Sequence, residues 1–274
     1  MPELPEAETI VRDLRPRLTG ATIVDARVRH ADILNPPLTP RRLAHGVRGR
    51  RISGVSRRGK IVIIELQHDL RLAINLGMSG RVVTSDAARA GEFRHIAVTL
   101  ALEDGRAILY DDARRFGRLA LHTPLSWRVR DASLGLEPLS NEFTAERFRA
   151  LTRVSAVPIR NWLLDQRRVA GVGNIYANEA LFLAGVRPTR RARTLTRAEV
   201  GRLREALRNV LVRAIAARGT TFSLYRDASG EEGGFYPALA VYDRAGQPCP
   251  RCGSGIKRIA LTNRSAFYCP TCQR

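Results

Sequence analysis

The spacing of apolar positions changes twice along the chain. Near the start, Ile10, Val11, Leu14 and Leu18 recur at helical intervals. This spacing predicts a helix that begins near Pro5 and stops at Gly20. From Ala21 to about Leu121 the pattern becomes that of strands. HIAVTLAL (95–102) alternates, with Ile96, Val98, Leu100 and Leu102 on one side. KIVIIEL (60–66) and RLAINL (71–76) are apolar runs of strand length. EDG (103–105) predicts a hairpin turn. This half reads as an antiparallel sandwich or barrel that carries an N-terminal helix.

Helical spacing returns after LGLEPL (134–139). Thr144 suits an N-cap, with Phe143 and Phe148 placed as a hydrophobic staple. A second helix is predicted over 158–167, and a third follows GVGN and ends at Gly185. The longest begins at the capping-box sequence TRAE (196–199). It runs through Val200, Leu203, Leu207, Val210, Leu211 and Ile215. Residues 219–237, rich in Gly, Ser, acids and aromatics, read as a mobile loop.

A chain of 274 residues, 44% hydrophobic, can bury one sizeable core or two smaller ones. No apolar run approaches a membrane span, and because the first charges are acidic and no apolar h-region follows, no signal peptide is expected. The expectation is a soluble, cytoplasmic protein. Charge sharpens this. Forty-six basic residues face twenty-six acidic ones, a net charge of +20. Such an excess calls for a polyanionic partner, nucleic acid first, with salt-dependent binding. The near absence of lysine (only Lys60 and Lys257) points to a GC-rich genome. That bias does not explain why acids are so outnumbered.

The cysteines are Cys249, Cys252, Cys269 and Cys272. C-P-R-C, sixteen residues and C-P-T-C have zinc-ribbon spacing. Four thiolates suit one closed, structural Zn2+ site. In an oxidising compartment the same residues would pair as disulfides. IKRIALTNRSAFYC reads as two strands joined at TNRS, with Arg264 at the hairpin tip. That arginine either meets DNA phosphates or is merely solvated.

Other stretches carry candidate chemistry. If Met1 is removed from MPELPE, Pro2 becomes a free secondary amine with a pKa near ~7.7–8.0. Such an amine can attack an aldehyde-like carbon and form an iminium ion, with Glu3 or Glu6 as proton donor and base. The same residues also make an ordinary helix start. Lys60, in SRRGKIVII, is either a phosphate contact or a strand-edge lysine. AGVGNIYANEA (170–180) places Asn174 at a helix N-terminus, an anion site or simply a tight turn. NLGMSG (75–80) carries Met78, and DDARRFG (111–117) carries Arg114 and Phe116. These are wedges for a base stack or core residues.

Taken together, MPELPE, RRGK, LGMSG, RRFG, LGLEPL, LLDQ-x-x-VAGVGNIYANE and a terminal zinc ribbon with NRS resemble bacterial formamidopyrimidine-DNA glycosylase, in order and over almost the full chain. The resemblance implies an α+β multidomain fold in three parts. These are an antiparallel β-sandwich with an N-terminal helix (1–135), a helix-two-turn-helix domain with a lesion-capping loop (136–237), and a β-hairpin zinc finger (238–274). It implies a monomeric base-excision repair enzyme that binds damaged double-stranded DNA, removes oxidised purines and cleaves the abasic site. Pro2 is then the nucleophile, Glu3 its proton-transfer partner, Glu6 a supporting acid and Lys60 a phosphate ligand in the catalytic domain. Met78, Arg114 and Phe116 fill the gap left by the everted base. Asn174, Arg160 and Arg264 contact DNA. Departures are Asn75 for the usual His, Ala113 for Pro, Arg160 for Lys and Asp243 for Gly. Two rivals are an endonuclease VIII-type enzyme for oxidised pyrimidines, disfavoured by Leu4, and a non-catalytic zinc-ribbon DNA-binding protein.

Overall fold

The computed structural model describes residues 2–86, 93–221, 227–228 and 231–274. It divides into two compact units, 1–132 with 217–234 and 133–216 with 235–274. Among the described residues no helix is long and apolar enough to cross a membrane.

The first unit opens with α1 (Leu4–Leu18), whose Ile10, Val11, Leu14 and Leu18 are all buried, as their spacing predicts. Then come β1 (Thr22–Val28), α2 (Pro40–Val47), β2 (Arg50–Arg58), β3 (Ile61–Leu66), β4 (Leu70–Asn75), β5 (Arg81–Asp86), β6 (Ile96–Leu102), β7 (Arg106–Asp111), β8 (Arg118–His122) and α3 (Pro124–Ala132). The strands form one antiparallel sheet in the order β5-β7-β6-β1-β2-β3-β4-β8. β1 meets β2 through only Thr22–Arg51 and Ile23–Arg50. On either side of this short seam lie four strands. Val98, Leu100 and Ile108 from one half share a core with Val62, Ile64, Leu72 and Ile74 from the other, and with Leu14 of α1. Burying each of these side chains contributes about 1.5–3 kcal/mol. The halves therefore make a sandwich.

Two helices depart from the strand-only reading of this half. α2 is capped by Thr39, whose hydroxyl accepts from the Arg42 amide at 3.3 Å, and it buries Leu43 and Val47. α3 buries only Trp127, so it offers no apolar stripe to read.

The second unit contains α4 (Ala145–Arg153), α5 (Ile159–Leu164), α6 (Asn174–Ala184), α7 (Arg197–Ala216), β9 (Lys257–Leu261) and β10 (Arg264–Tyr268). Thr144 caps α4, and the Phe143 and Phe148 rings meet at 5.0 Å. α6 is buried on almost every side, which makes it the central helix. It ends at Gly185, where φ is +71°. The α7 capping box forms in both directions. The Glu199 amide donates to Thr196 Oγ1 at 3.2 Å, and the Thr196 amide to Glu199 Oε2 at 2.8 Å. α5 ends at Leu164, short of the predicted 167. Asp165 is extended there, and its carboxylate accepts from the Arg167 amide at 3.1 Å. The cysteine ribbon shares a core with α6, since Phe182, Val241, Ile256, Phe267, Cys249 and Cys269 form one cluster. Glu179 of α6 ties it further by accepting from the amides of Ala240, Val241 and Tyr242 at 2.8, 2.9 and 2.8 Å.

The expected mobile loop falls partly on residues 222–226 and 229–230, which lie outside the described residues. Its described residues up to Gly234 belong to the first unit, and residues 235–237 to the second. The Arg218 guanidinium bridges Asp13 and Asp227 at 2.6 and 2.5 Å.

Candidate catalytic and nucleic-acid site

Pro2 is buried and directly precedes Glu3, the N-cap of α1. Glu3 and Glu6 are only 2% and 1% exposed. The Glu3 amide donates to Glu6 Oε2 at 2.7 Å, and Glu6 Oε1 accepts from the Thr220 amide at 2.8 Å. Gly219, at φ +86°, lies so close that an added Cβ would sit 2.8 Å from Glu6 Oε1. Glu6 thus joins the start of α1 to residues 219–220. The buried Glu3 and Glu6 form the capping box of α1 directly after Pro2, so the helix start and the candidate chemistry use the same residues.

Lys60 is half-buried on the β2–β3 turn, after Gly59 at φ +59°. Met78 and Phe116 are exposed at 39% and 53%, so neither is a core residue. Their loops pack backbone to backbone. A Cβ on Gly77 (φ +63°) would lie 2.5 Å from the Gly117 amide nitrogen and 2.6 Å from the Phe116 carbonyl carbon. The Arg114 guanidinium stacks 4.7 Å from the centre of the Phe116 ring. Met78, Arg114 and Phe116 therefore stand on two loops held as one. Asn75 has a local role as well, because its Oδ1 accepts from the Gly77 amide at 3.2 Å and shapes the turn.

The residue that holds these loops escaped sequence reasoning. Asp112 is 1% exposed. Its Oδ1 accepts from Ser79 Oγ at 2.5 Å and from the Arg114 amide at 3.3 Å. Its Oδ2 accepts from the Gly117 amide at 2.8 Å and the Tyr110 hydroxyl at 3.0 Å. Burial pushes the Tyr110 pKa up, and the neighbouring carboxylate adds to the shift, so the phenol stays a donor. Asp112 was legible only as part of DDARRFG.

In the second unit, Gln166 folds the glycine-rich entry to α6. Its amide nitrogen donates to the carbonyls of Leu164 and Val172, at 3.1 and 2.7 Å, and its oxygen accepts from the Gly171 amide at 2.8 Å. Asn174 then begins α6. Arg264, exposed, is the first residue of β10, paired with Leu261 across the turn. Arg160 is placed differently from an exposed ligand. It is 1% exposed, and its guanidinium donates to Asn174 Oδ1 at 2.6 Å and to the Ser265 carbonyl at 2.8 Å. Burial, with the Arg264 charge, lowers its pKa to about 10, still well above neutrality.

The sulfur atoms of Cys249, Cys252, Cys269 and Cys272 all lie within 4.8 Å of one another. A tetrahedral zinc with Zn–S bonds of ~2.3 Å spaces its sulfurs by about 3.8 Å. Cys252 and Cys269 are 3.4 Å apart and Cys249 and Cys272 4.0 Å, against ~2.05 Å for a disulfide. The four thiols fit one structural zinc ion.

The full-length pattern has relatives. Residues 1–119 match the formamidopyrimidine-DNA glycosylase N-terminal domain, 134–226 the formamidopyrimidine-DNA glycosylase H2TH domain, and 246–274 the zinc finger found in FPG and IleRS. The formamidopyrimidine-DNA glycosylase of Chloroflexus aggregans is 44% identical over 274 residues, spanning 100% of this chain and 98% of that protein. The chain belongs to the formamidopyrimidine-DNA glycosylase family. Two solved glycosylase structures superpose on it. The MutM (FPG) protein of Thermus thermophilus does so with a TM-score of 0.88 at 41% identity, covering 99% of this chain and 98% of that one. The Lactococcus lactis Fpg, in complex with an abasic site containing DNA, gives 0.90 at 32% identity, with 99% of both chains covered. The α+β fold, the helix-two-turn-helix domain and the zinc finger expected from the motifs are those of this glycosylase family. Its usual glycine in VYGR is replaced by Asp243, which takes φ +60°, a conformation that aspartate tolerates better than most residues.

Proposed function

We propose that Pro2, freed by removal of Met1, is the nucleophile of a bifunctional DNA glycosylase and AP lyase. The chain is a base-excision repair enzyme whose substrate is double-stranded DNA with oxidised purines or abasic sites. It acts in the cytoplasm, at the nucleoid. The carrying observation is Pro2 buried at the head of α1 beside the Glu3 and Glu6 carboxylates.

The target base is out of reach within the stack and is everted at a cost of a few kcal/mol. Met78, Arg114 and Phe116 fill the space it leaves, which offsets part of that cost. The Pro2 nitrogen attacks C1′, and the base leaves with the electrons of the glycosidic bond. The Pro2 N–H proton is lost and Glu3 protonates the ring oxygen as the C1′–O4′ bond breaks, which leaves an iminium ion between Pro2 and C1′. The iminium acidifies C2′. Loss of that proton expels the 3′ phosphate, and a second elimination expels the 5′ phosphate. Lys60, Asn174 and Arg264 hold backbone phosphates. Cys249, Cys252, Cys269 and Cys272 would hold a zinc ion whose part is structural, to stabilise the hairpin that carries Arg264. Functionally the chain is a catalytic domain (1–135), a helix-two-turn-helix domain (136–237) and a zinc finger (238–274).

Borohydride trapping tests this. The processed, zinc-loaded protein should become covalently linked to duplexes containing 8-oxoguanine opposite C, and a form that retains Met1 should not. Absence of both cleavage and adduct with the processed protein refutes the reading. Faster action on thymine glycol opposite A would move the chain to the oxidised-pyrimidine branch.

A further inference from the structure

Arg160 is among the largest side chains that the fold buries fully. Both of its terminal nitrogens are occupied by protein acceptors. Nη1 donates to Asn161 Oδ1 at 2.9 Å and the Leu261 carbonyl at 3.3 Å, and Nη2 to Asn174 Oδ1 at 2.6 Å and the Ser265 carbonyl at 2.8 Å. These acceptors lie on α5, at the end of β9, at the start of α6 and on β10. A second set of bonds closes the same network. Asn174 Nδ2 donates to the Ser265 carbonyl at 3.1 Å, Asn178 Nδ2 to Asn174 Oδ1 at 3.1 Å, and the Phe267 amide to Asn178 Oδ1 at 2.8 Å. On the turn itself, Asn161 Nδ2 donates to Thr262 Oγ1 at 2.7 Å.

Two consequences follow from this geometry. The Asn174 side-chain oxygen receives two donors, so the orientation of its amide is set and its nitrogen faces β10. The hairpin carbonyls on both sides of the Thr262–Asn263 turn are held to α5 and α6, so Arg264 leaves that turn from a fixed position. A lysine, with three donors on a single nitrogen, can serve one pair of these acceptors but not both pairs, whereas the two terminal nitrogens of the planar guanidinium serve both.

We infer that Arg160 is a positioning residue, which locks Asn174 and the Arg264 hairpin into one phosphate-binding surface and does not itself bind phosphate. The inference rests on the proposed roles of Asn174 and Arg264. Salt dependence separates the two kinds of residue, because each charged phosphate contact adds about 0.9 to the slope of log K against log salt. Affinity for a duplex with an abasic-site analogue is measured over a range of salt with the full-length, zinc-loaded protein.

Arg160→Gln is expected to weaken binding about tenfold with an unchanged slope, and to weaken it far less in an Asn174→Ala background. Arg264→Gln should flatten the slope. Arg160→Lys keeps the charge but loses the fork, so it should also weaken binding at constant slope. It stands in if Arg160→Gln sheds zinc or unfolds. A slope flattened by about 0.9 in Arg160→Gln makes Arg160 a phosphate ligand and overturns the inference. So does unchanged affinity, or full additivity with Asn174→Ala. If Asn174→Ala and Arg264→Gln both bind as the parent does, the phosphate-binding reading itself has failed.

Discussion

Asp112 illustrates what a single residue does in this molecule. Its four donors come from Ser79 on one loop, Arg114 and Gly117 on another, and Tyr110 of β7. Replacing it with Asn turns one acceptor oxygen into a donor, which then faces an amide or hydroxyl donor. The change leaves a buried group unpaired and is expected to cost about 1–3 kcal/mol, read as a lowered Tm. Because the loops carry Met78, Arg114 and Phe116, Asp112→Asn should also slow 8-oxoguanine excision more than cleavage of a preformed abasic site, where no base is everted. Equal losses on both substrates would separate Asp112 from base eversion. At this scale the sequence exposed the metal-binding cysteines and the proposed nucleophile Pro2, because four cysteines at ribbon spacing and a proline after the initiator methionine carry their chemistry in their identity and spacing. It hid Asp112, Gln166 and Glu179, whose roles arise only where distant backbone groups converge.

Elements were legible where one face is apolar and the ends carry caps. α1, α4 and α7 meet both conditions, whereas α6, buried nearly all round, was marked by its glycine-rich entry and Gly185, β6 by its period of two, and β3 and β4 by apolar runs of strand length. α2 and α3 are short and have few buried residues, so the surrounding strand pattern obscured them. The start of α7 gives a pH prediction. The side-chain hydrogen bond from Arg190 is the main cause that holds the Glu199 pKa down at about 2, from an ordinary 4.5. A depressed carboxylate pKa stabilises the fold above the unfolded value, and that stability is lost as pH falls from about 4.5 towards 2. Glu199→Gln should therefore lower Tm at neutral pH, and the difference from the parent should shrink across this acid range. A constant difference would place the role of Glu199 outside its charge. The ribbon supports a second test. Cys269→Ser should release zinc and weaken DNA binding, and because its cluster belongs to the second unit it should leave the sandwich folded. Circular dichroism in the β region, zinc content and duplex affinity measured together decide it. Intact affinity without zinc would remove the ribbon from the binding surface.

At the scale of the whole molecule the net charge of +20 is the dominant fact. It speeds encounter with any DNA and makes binding steeply salt-dependent, yet carries no information about lesions. In the proposed function lesion chemistry comes from the few residues around Pro2 and the loops of Met78, Arg114 and Phe116, so the general and specific terms are separable by mutation. Lys60→Ala removes one proposed phosphate contact from the first unit, and Arg264→Gln removes one from the second. Each is expected to flatten the log K against log salt slope by about 0.9, and the double variant by about 1.8 if the contacts act independently. The parent slope should exceed that sum, because many other arginines remain. The same variants should bind damaged and undamaged duplexes with nearly parallel losses, since a phosphate contact reads no base. Loss of discrimination in Lys60→Ala, with the slope unchanged, would instead place Lys60 at the lesion.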